Sequence, residues 1–305
     1  MKATVLLNEA GDGVLAQAAH REDIVRCADQ IPVLPLAVLK VLELLDDPGS
    51  DAGELAEAVS LDTRLTTALL KLAHSGAYPG AEGVLSVTQA VTTVGLSQLR
   101  VLVLTTSLIG LAKREAVDKL VWENSLATAI IARRLAEEVA HTHPDEVFLL
   151  GLLHCLGQFI FLAHPKTRLA YSRVLRRIQE SGVDYITAEL AELGFAHNAI
   201  GALAANRWNF PAEVCQTILH YPEPLEPLVT RAGQTQALIK LADLLAHAAF
   251  IGHPPGYPVQ LDLIEQLADT VKLLPERGRS AVELIVTARN QIDAAADLWS
   301  AFASG

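Results

Sequence analysis

Apolar residues recur at helical spacing along nearly the whole chain, and turn or capping residues interrupt them at short intervals. In PLAVLKVLELLDD, Leu36, Leu39, Val41, Leu42 and Leu45 form one broad apolar face, and Asp47-Pro48-Gly49 ends it. Ser50 and Asp51 suit the cap of a second helix, and Asp62 opens a third with Leu65, Leu69 and Leu72 on one side. Ser75 to Gly83 reads as a loop, with His74 placed to cap the helix before it. Ser86/Gln89 and Ser280/Glu283 have the spacing of capping boxes. From Val117 to Ala140 the pattern predicts one long helix. A buried one over Val147–Ala163 follows a start at His143-Pro144-Asp145-Glu146. Further helices are expected over 168–180, 184–193, 197–208, 211–221, 225–251, 261–274 and 280–302. No strand and no internal repeat emerges, so the expected fold class is all-α.

The remaining totals exclude several classes. The 305 residues carry 24 basic and 35 acidic side chains, a formal net charge of -11, which disfavours nucleic acid as a partner. Lys113-Arg114, Arg133-Arg134 and Arg176-Arg177 are short basic pairs that read as solvated helix faces. Cys27, Cys155 and Cys215 lie far apart without a CxxC, as suits a reducing, cytoplasmic setting. The N-terminus shows no leader pattern. Val147–Ala163 carries His154 and Gln158 and is too short for a bilayer span, so no membrane is expected. No P-loop, GxSxG or ordered triad appears.

One stretch does not fit a plain core helix. GLLHCLGQFIFL, Gly151 to Leu162, places His154 beside Cys155 among leucines and phenylalanines. Further His and Asp residues are spread over successive helices, the distribution that a metal site in a helical bundle needs. The segments around them resemble the HDOD family, the HD-related output domains of bacterial signalling proteins. The resemblance runs through IPVLPLAVLKVLELLDDP, ELAEAVSLDTRLTTALLKLAHSGAY and SVTQAVTTVGLSQLRVLVL. It continues in WENSLATAIIARRLAEE, EVFLLGLLHCLGQFIFLAHP, LGFAHNAIGALAANRWNFPAEVCQTILHYPEP and LIKLADLLA, and it spans roughly Ala28 to His247.

The resemblance implies descent from HD phosphohydrolases, which bind one or two metal ions through histidines and a tandem His-Asp, and use a metal-activated water on phosphate esters. Carried across, the first ligand histidine falls on Asn124 and the His-Asp pair on His154-Cys155. The lysine that often follows falls on Gln158, and the next histidine on His197. A histidine pair falls on Tyr221-Pro222, with His220 one residue early, and the last aspartate on Asp243. Only His154, His197 and Asp243 keep a ligand's identity. Asn124 offers a neutral amide, Cys155 a soft sulfur poorly matched to Mg or Mn, and Pro222 nothing. The seven positions are therefore expected to form a vestigial pocket with no catalytic residue, no metal and no cofactor. His154 would be satisfied by Gln158 four residues on, Asp243 would pair with His154 or His197, and Cys155 would be a core residue.

Four regions follow: an N-terminal segment (1–27), an N-terminal helical bundle (28–112), an HD-like helical bundle packed on it (113–251), and a linker with C-terminal helices (252–305), with GHPPGYP as the linker. The resemblance implies non-catalytic signal output by binding a protein partner or a nucleotide second messenger, in a groove between the bundles. No receiver, GGDEF or EAL-like segment accompanies it, so the module is expected to act alone. The rival is a metal-dependent phosphohydrolase in which the three surviving ligands hold a zinc with one open position.

Overall fold

The structure is a computed structural model that describes residues 31–74, 84, 86–111, 115–141, 143–223, 230–271 and 280–294. Among these residues it is all-α, with no strand. The expected N-terminal segment with Cys27, the loop at 75–83, the Lys113-Arg114 pair and the ends of three expected helices (225–229, 272–274 and 295–302) lie outside the described residues.

The chain divides into two compact units, and the smaller is Val33–Gly110. It holds α1 (Leu36–Asp46), α2 (Ala52–Ser60), α3 (Thr63–Ala73), α4 (Val87–Val94) and most of α5 (Leu96–Leu111). Its helix starts follow the acids in the sequence. Asp51 accepts from the amides of Gly53 (2.8 Å) and Glu54 (2.9 Å), while Glu54 accepts from the Asp51 amide (3.1 Å). These bonds satisfy three donors that α2 cannot satisfy itself. Asp62 does the same for the amides of Arg64 and Leu65 in α3. His74 closes α3 with Nδ1 at the Leu70 carbonyl (2.7 Å) and Nε2 at the Val84 carbonyl (3.0 Å). Val41, Leu55, Val59, Leu65, Leu69, Val91 and Leu99 fill the core.

The larger unit contains Leu111–Ala294. Its helices are α6 (Ala116–Glu138), α7 (Pro144–Leu153), α8 (Leu156–Ala163), α9 (Pro165–Ser181), α10 (Tyr185–Leu193), α11 (His197–Arg207), α12 (Ala212–His220), α13 (Arg231–Ala248), α14 (Leu261–Thr270) and α15 (Ala281–Ala294). At the centre, α6 packs on α7 and α13, and α8 packs on α11. Asp118 on α6 pairs with Arg168 on α9, which also donates to the Leu162 carbonyl (2.7 Å).

Two details differ from the sequence expectation. The apolar run is not one helix, because a turn at His154-Cys155 separates α7 from α8. Taken together from Pro144 to Ala163, the run is 20 residues, long and apolar enough to cross a bilayer, whereas the count from Val147 fell short. Its most apolar window is 72% buried inside the protein, and core packing accounts for that composition. The α8–α11 crossing is also very close. A Cβ on Gly157 would lie 2.0 Å from the carbonyl oxygen of His197, so only glycine lets the two backbones meet here.

Candidate functional site

Five of the seven expected positions line one cavity of about 220 Å³ in the larger unit: Asn124, Gln158, His197, Tyr221 and Asp243. His154 lies buried behind its wall, hydrogen-bonded to Asn124. Cys155 does not join them. Its sulfur turns to the Val121 carbonyl (3.9 Å), and burial pushes its thiol pKa up, so it is an inert core residue. His220 is also buried, and burial lowers its pKa.

Asn124 on α6 is the hub of the first cluster. Its amide nitrogen lies 3.2 Å from His154 Nε2 and donates to Asp243 Oδ1 at 3.1 Å. Thr128, one turn later, donates to its amide oxygen (3.4 Å), which fixes the amide orientation. His154 Nδ1 donates to the Gly151 carbonyl at 2.6 Å, leaving Nε2 as the lone pair that faces Asn124. Asp243 Oδ1 also lies 3.4 Å from His154 Nε2 and 3.2 Å from His247 Nε2. His247 is one turn after Asp243 on α13, and its Nδ1 faces the Ile251 carbonyl (3.2 Å). Burial pushes the Asp243 carboxyl up. The charge of His247 and its hydrogen bond outweigh burial and hold it well below the usual carboxylate range.

A second cluster is built on a residue that the sequence reading passed over. Glu189 on α10 is wholly buried. One oxygen accepts from the His197 amide (2.8 Å) and from His197 Nδ1 (2.7 Å). The other accepts from the Tyr171 hydroxyl (2.7 Å) and the Gln158 amide (3.3 Å). The Tyr221 hydroxyl donates to His197 Nε2 at 2.6 Å, and the Tyr221 ring stands edge-on to His154 with centroids 5.0 Å apart. Burial keeps the Tyr171 and Tyr221 hydroxyls protonated by raising their pKa values well above the ordinary one.

One expected pairing is thereby corrected, and one left open is decided. Gln158 does not satisfy His154. The turn at His154-Cys155 breaks the i,i+4 register between them, and Gln158 serves Glu189 instead. Of the two histidines offered to Asp243, His154 is the one it meets, while Glu189 takes His197.

The GHPPGYP segment, read as a linker, forms part of the site. Gly252 has a positive φ of 74°, and a Cβ there would stand 2.3 Å from the Cβ of Asn124. Tyr185 donates to the Gly252 carbonyl (3.1 Å), and the Tyr257 ring packs on His247 with centroids 4.3 Å apart. Signals for the missed residues were present. His247 follows Asp243 by four in the otherwise apolar stretch 241–248, and Glu189 shares the apolar face of α10 with Tyr185 and Ala188.

The donor set does not fit an ion. Among the described residues, no three His, Cys, Asp or Glu side chains are grouped to hold one. The Asn124 amide occupies both His154 Nε2 and Asp243 Oδ1, and a hydroxyl occupies His197 Nε2.

Comparison with known proteins agrees with this architecture. The chain is 28% identical over 227 residues to an uncharacterised protein of Treponema pallidum (strain Nichols), covering 70% of this chain and 43% of that protein, so it spans less than half of that relative's length. An HDOD domain protein from Geobacter sulfurreducens superposes with a TM-score of 0.69 at 24% identity, covering 96% of this chain and 97% of the other. A candidate signal transduction protein from Marinobacter aquaeolei VT8 does so with a TM-score of 0.74 at 20% identity, covering 97% of this chain and 68% of the other. At these identities the two structures speak for the fold. The HDOD domain model matches residues 31–224, well over half the sequence, and the chain belongs to the HDOD family.

Proposed function

We propose that this chain is a non-catalytic signal-transduction module that acts by binding a protein partner, its HD-type pocket having become a hydrogen-bonded part of the core. One observation carries the reading. A single side-chain amide, that of Asn124, lies within hydrogen-bond reach of both His154 Nε2 and Asp243 Oδ1. Metal-assisted hydrolysis needs those atoms free to hold the ion and an open position for the attacking water. Tyr221 occupies His197 in the same way, and Cys155 points elsewhere. The cavity in front remains available to a small effector, and a nucleotide second messenger is the alternative ligand. A cytoplasmic location suits the free, buried thiols of Cys155 and Cys215.

The test is metal analysis of the purified protein together with phosphodiester hydrolysis in Mn²⁺, using both a chromogenic diester and cyclic dinucleotides. The expected result is substoichiometric metal and no turnover above buffer. Stoichiometric metal, with hydrolysis abolished by chelator and by His154→Ala, would establish the phosphohydrolase reading instead.

A further inference from the structure

We infer that the exposed face of α9 is a docking surface for a short acidic protein segment that carries an apolar side chain. The inference deepens the partner-binding reading and rests on it. Helix α9 holds five cations, Lys166, Arg168, Arg173, Arg176 and Arg177, against one acid, Glu180. The rest of the chain then has 19 basic and 34 acidic residues, so a helix of net charge +4 sits in a remainder of net charge -15.

The cations are placed, not scattered. Tyr171, Val174 and Ile178 bury one side of α9. On the opposite side Lys166, Leu169, Arg173, Arg176 and Arg177 share one broad exposed face, which Glu180 ends with the helix's one acid. Leu169 stands in it 76% exposed. Glu192 on α10 binds Arg173 (3.2 Å) and Arg177 (2.7 Å), holding both guanidinium groups along one edge. Lys166 and Arg176 have no carboxylate partner among the described residues.

The shape of this patch selects its partner. At about 1.5 Å rise per residue the face is roughly 16 Å long, three turns of helix. A segment of similar length carrying carboxylates fits within it, and an apolar side chain on that segment would cover Leu169. A duplex or an anionic membrane reaches well beyond the patch, and there it meets the acidic remainder. Neither the phosphate backbone nor a membrane surface uses a single exposed leucine to advantage, since one side chain gives little insertion.

The experiment uses the full chain and a labelled three-turn peptide with glutamates spaced around one leucine, read by fluorescence anisotropy. A lysine-for-glutamate version, a duplex DNA and phosphatidylserine vesicles serve as the other arms. Wild type is expected to bind the glutamate peptide, and the double variant Lys166→Glu/Arg176→Glu to weaken it by about tenfold or more while gaining affinity for the lysine peptide. Leu169→Ser is expected to weaken it by roughly fivefold, as one apolar contact would. Circular dichroism and melting of these variants should match wild type, because the two cations have no carboxylate partner among the described residues. Failure of wild type to bind the glutamate peptide, equal binding by the reversed variant, or tighter binding to duplex or vesicles overturns the inference. Hydrolysis by wild type would instead overturn the partner-binding reading, so the two failures are distinguishable.

Discussion

Glu189 is the residue whose replacement should cost the larger unit most for the fewest atoms changed. Its carboxylate is wholly buried and receives four donors at 2.7 to 3.3 Å. In Glu189→Gln the amide oxygen can keep the two His197 donors, and the new NH₂ group faces Tyr171 and Gln158. The Tyr171 hydroxyl can rotate and Gln158 can flip to accept, so no donor is stranded, but every bond loses its charge assistance. Hydrogen bonds to charged groups contribute about 1.5–3 kcal/mol against about 1 for neutral ones, so the two shortest bonds put the loss at about 2 kcal/mol. Glu189→Ala is worse. The His197 amide cannot turn away, and two or more buried donors are left without an acceptor at about 1–3 kcal/mol each. Relief of the buried charge offsets part of this, leaving a loss of about 4 kcal/mol. Urea unfolding followed by circular dichroism measures both, with the slope checking that the unfolded state is unchanged. The corresponding fall in Tm is about 2–4 °C per kcal/mol for a unit of this size. If both variants lay within about 0.5 kcal/mol of wild type, the four-donor account of Glu189 would be refuted.

Two other measurements probe the same unit. The Asp243 carboxyl titrates well below its ordinary value in the fold. Its contribution to stability is therefore present above the unfolded pKa and lost as pH falls through the folded one. Wild type should show a steep acid limb in Tm against pH, and Asp243→Asn, less stable at neutral pH, should show a shallower one; parallel limbs would exclude the linkage. Phe250 sits at φ 62°, 80% exposed, just past the end of α13, where its Ile251 neighbour bonds back to the Ala246 carbonyl. Glycine is the usual residue at such a left-handed position, so Phe250→Gly should raise stability by about 0.5–1 kcal/mol in thermal melts, and a loss would show that the ring has a packing role.

The helical fold was legible because its punctuation is chemical. Asp62, Ser86, Pro144 and the Ser280/Glu283 box each stand where a helix begins, since they satisfy or dispense with amides that the first turn leaves open. The turn at His154-Cys155 was not legible, because LLHCLGQF contains no cap and no proline. What accompanies it is a local bond from His154 to the Gly151 carbonyl and the tertiary contact of Gly157 with the backbone of α11. Composition identified GHPPGYP as loop but could not say what it packs against. That depends on the missing Cβ of Gly252 beside Asn124, which lies far away in the sequence. The site positions came through the family resemblance, and their partners did not. Glu189 reaches Tyr171, Gln158 and His197 from three other helices, and no local pattern encodes that meeting.

Under the proposed reading, the persistence of His154, His197 and Asp243 in a pocket without hydrolytic chemistry has a physical cause. Asp243 and Glu189 are buried carboxylates, and either would be costly without donors or a cation nearby. Asn124, His154 and His247 meet Asp243, while His197, Tyr171 and Gln158 meet Glu189. Removing any single partner leaves charge or a lone donor in a dry environment, a loss of about 3–5 kcal/mol when an ion pair is broken from one side. A pocket that has become self-satisfied in this way resists change one residue at a time. The same network resists reversal. An ion entering between His154 and Asp243 would have to displace the Asn124 amide and give up its hydrogen bonds to both.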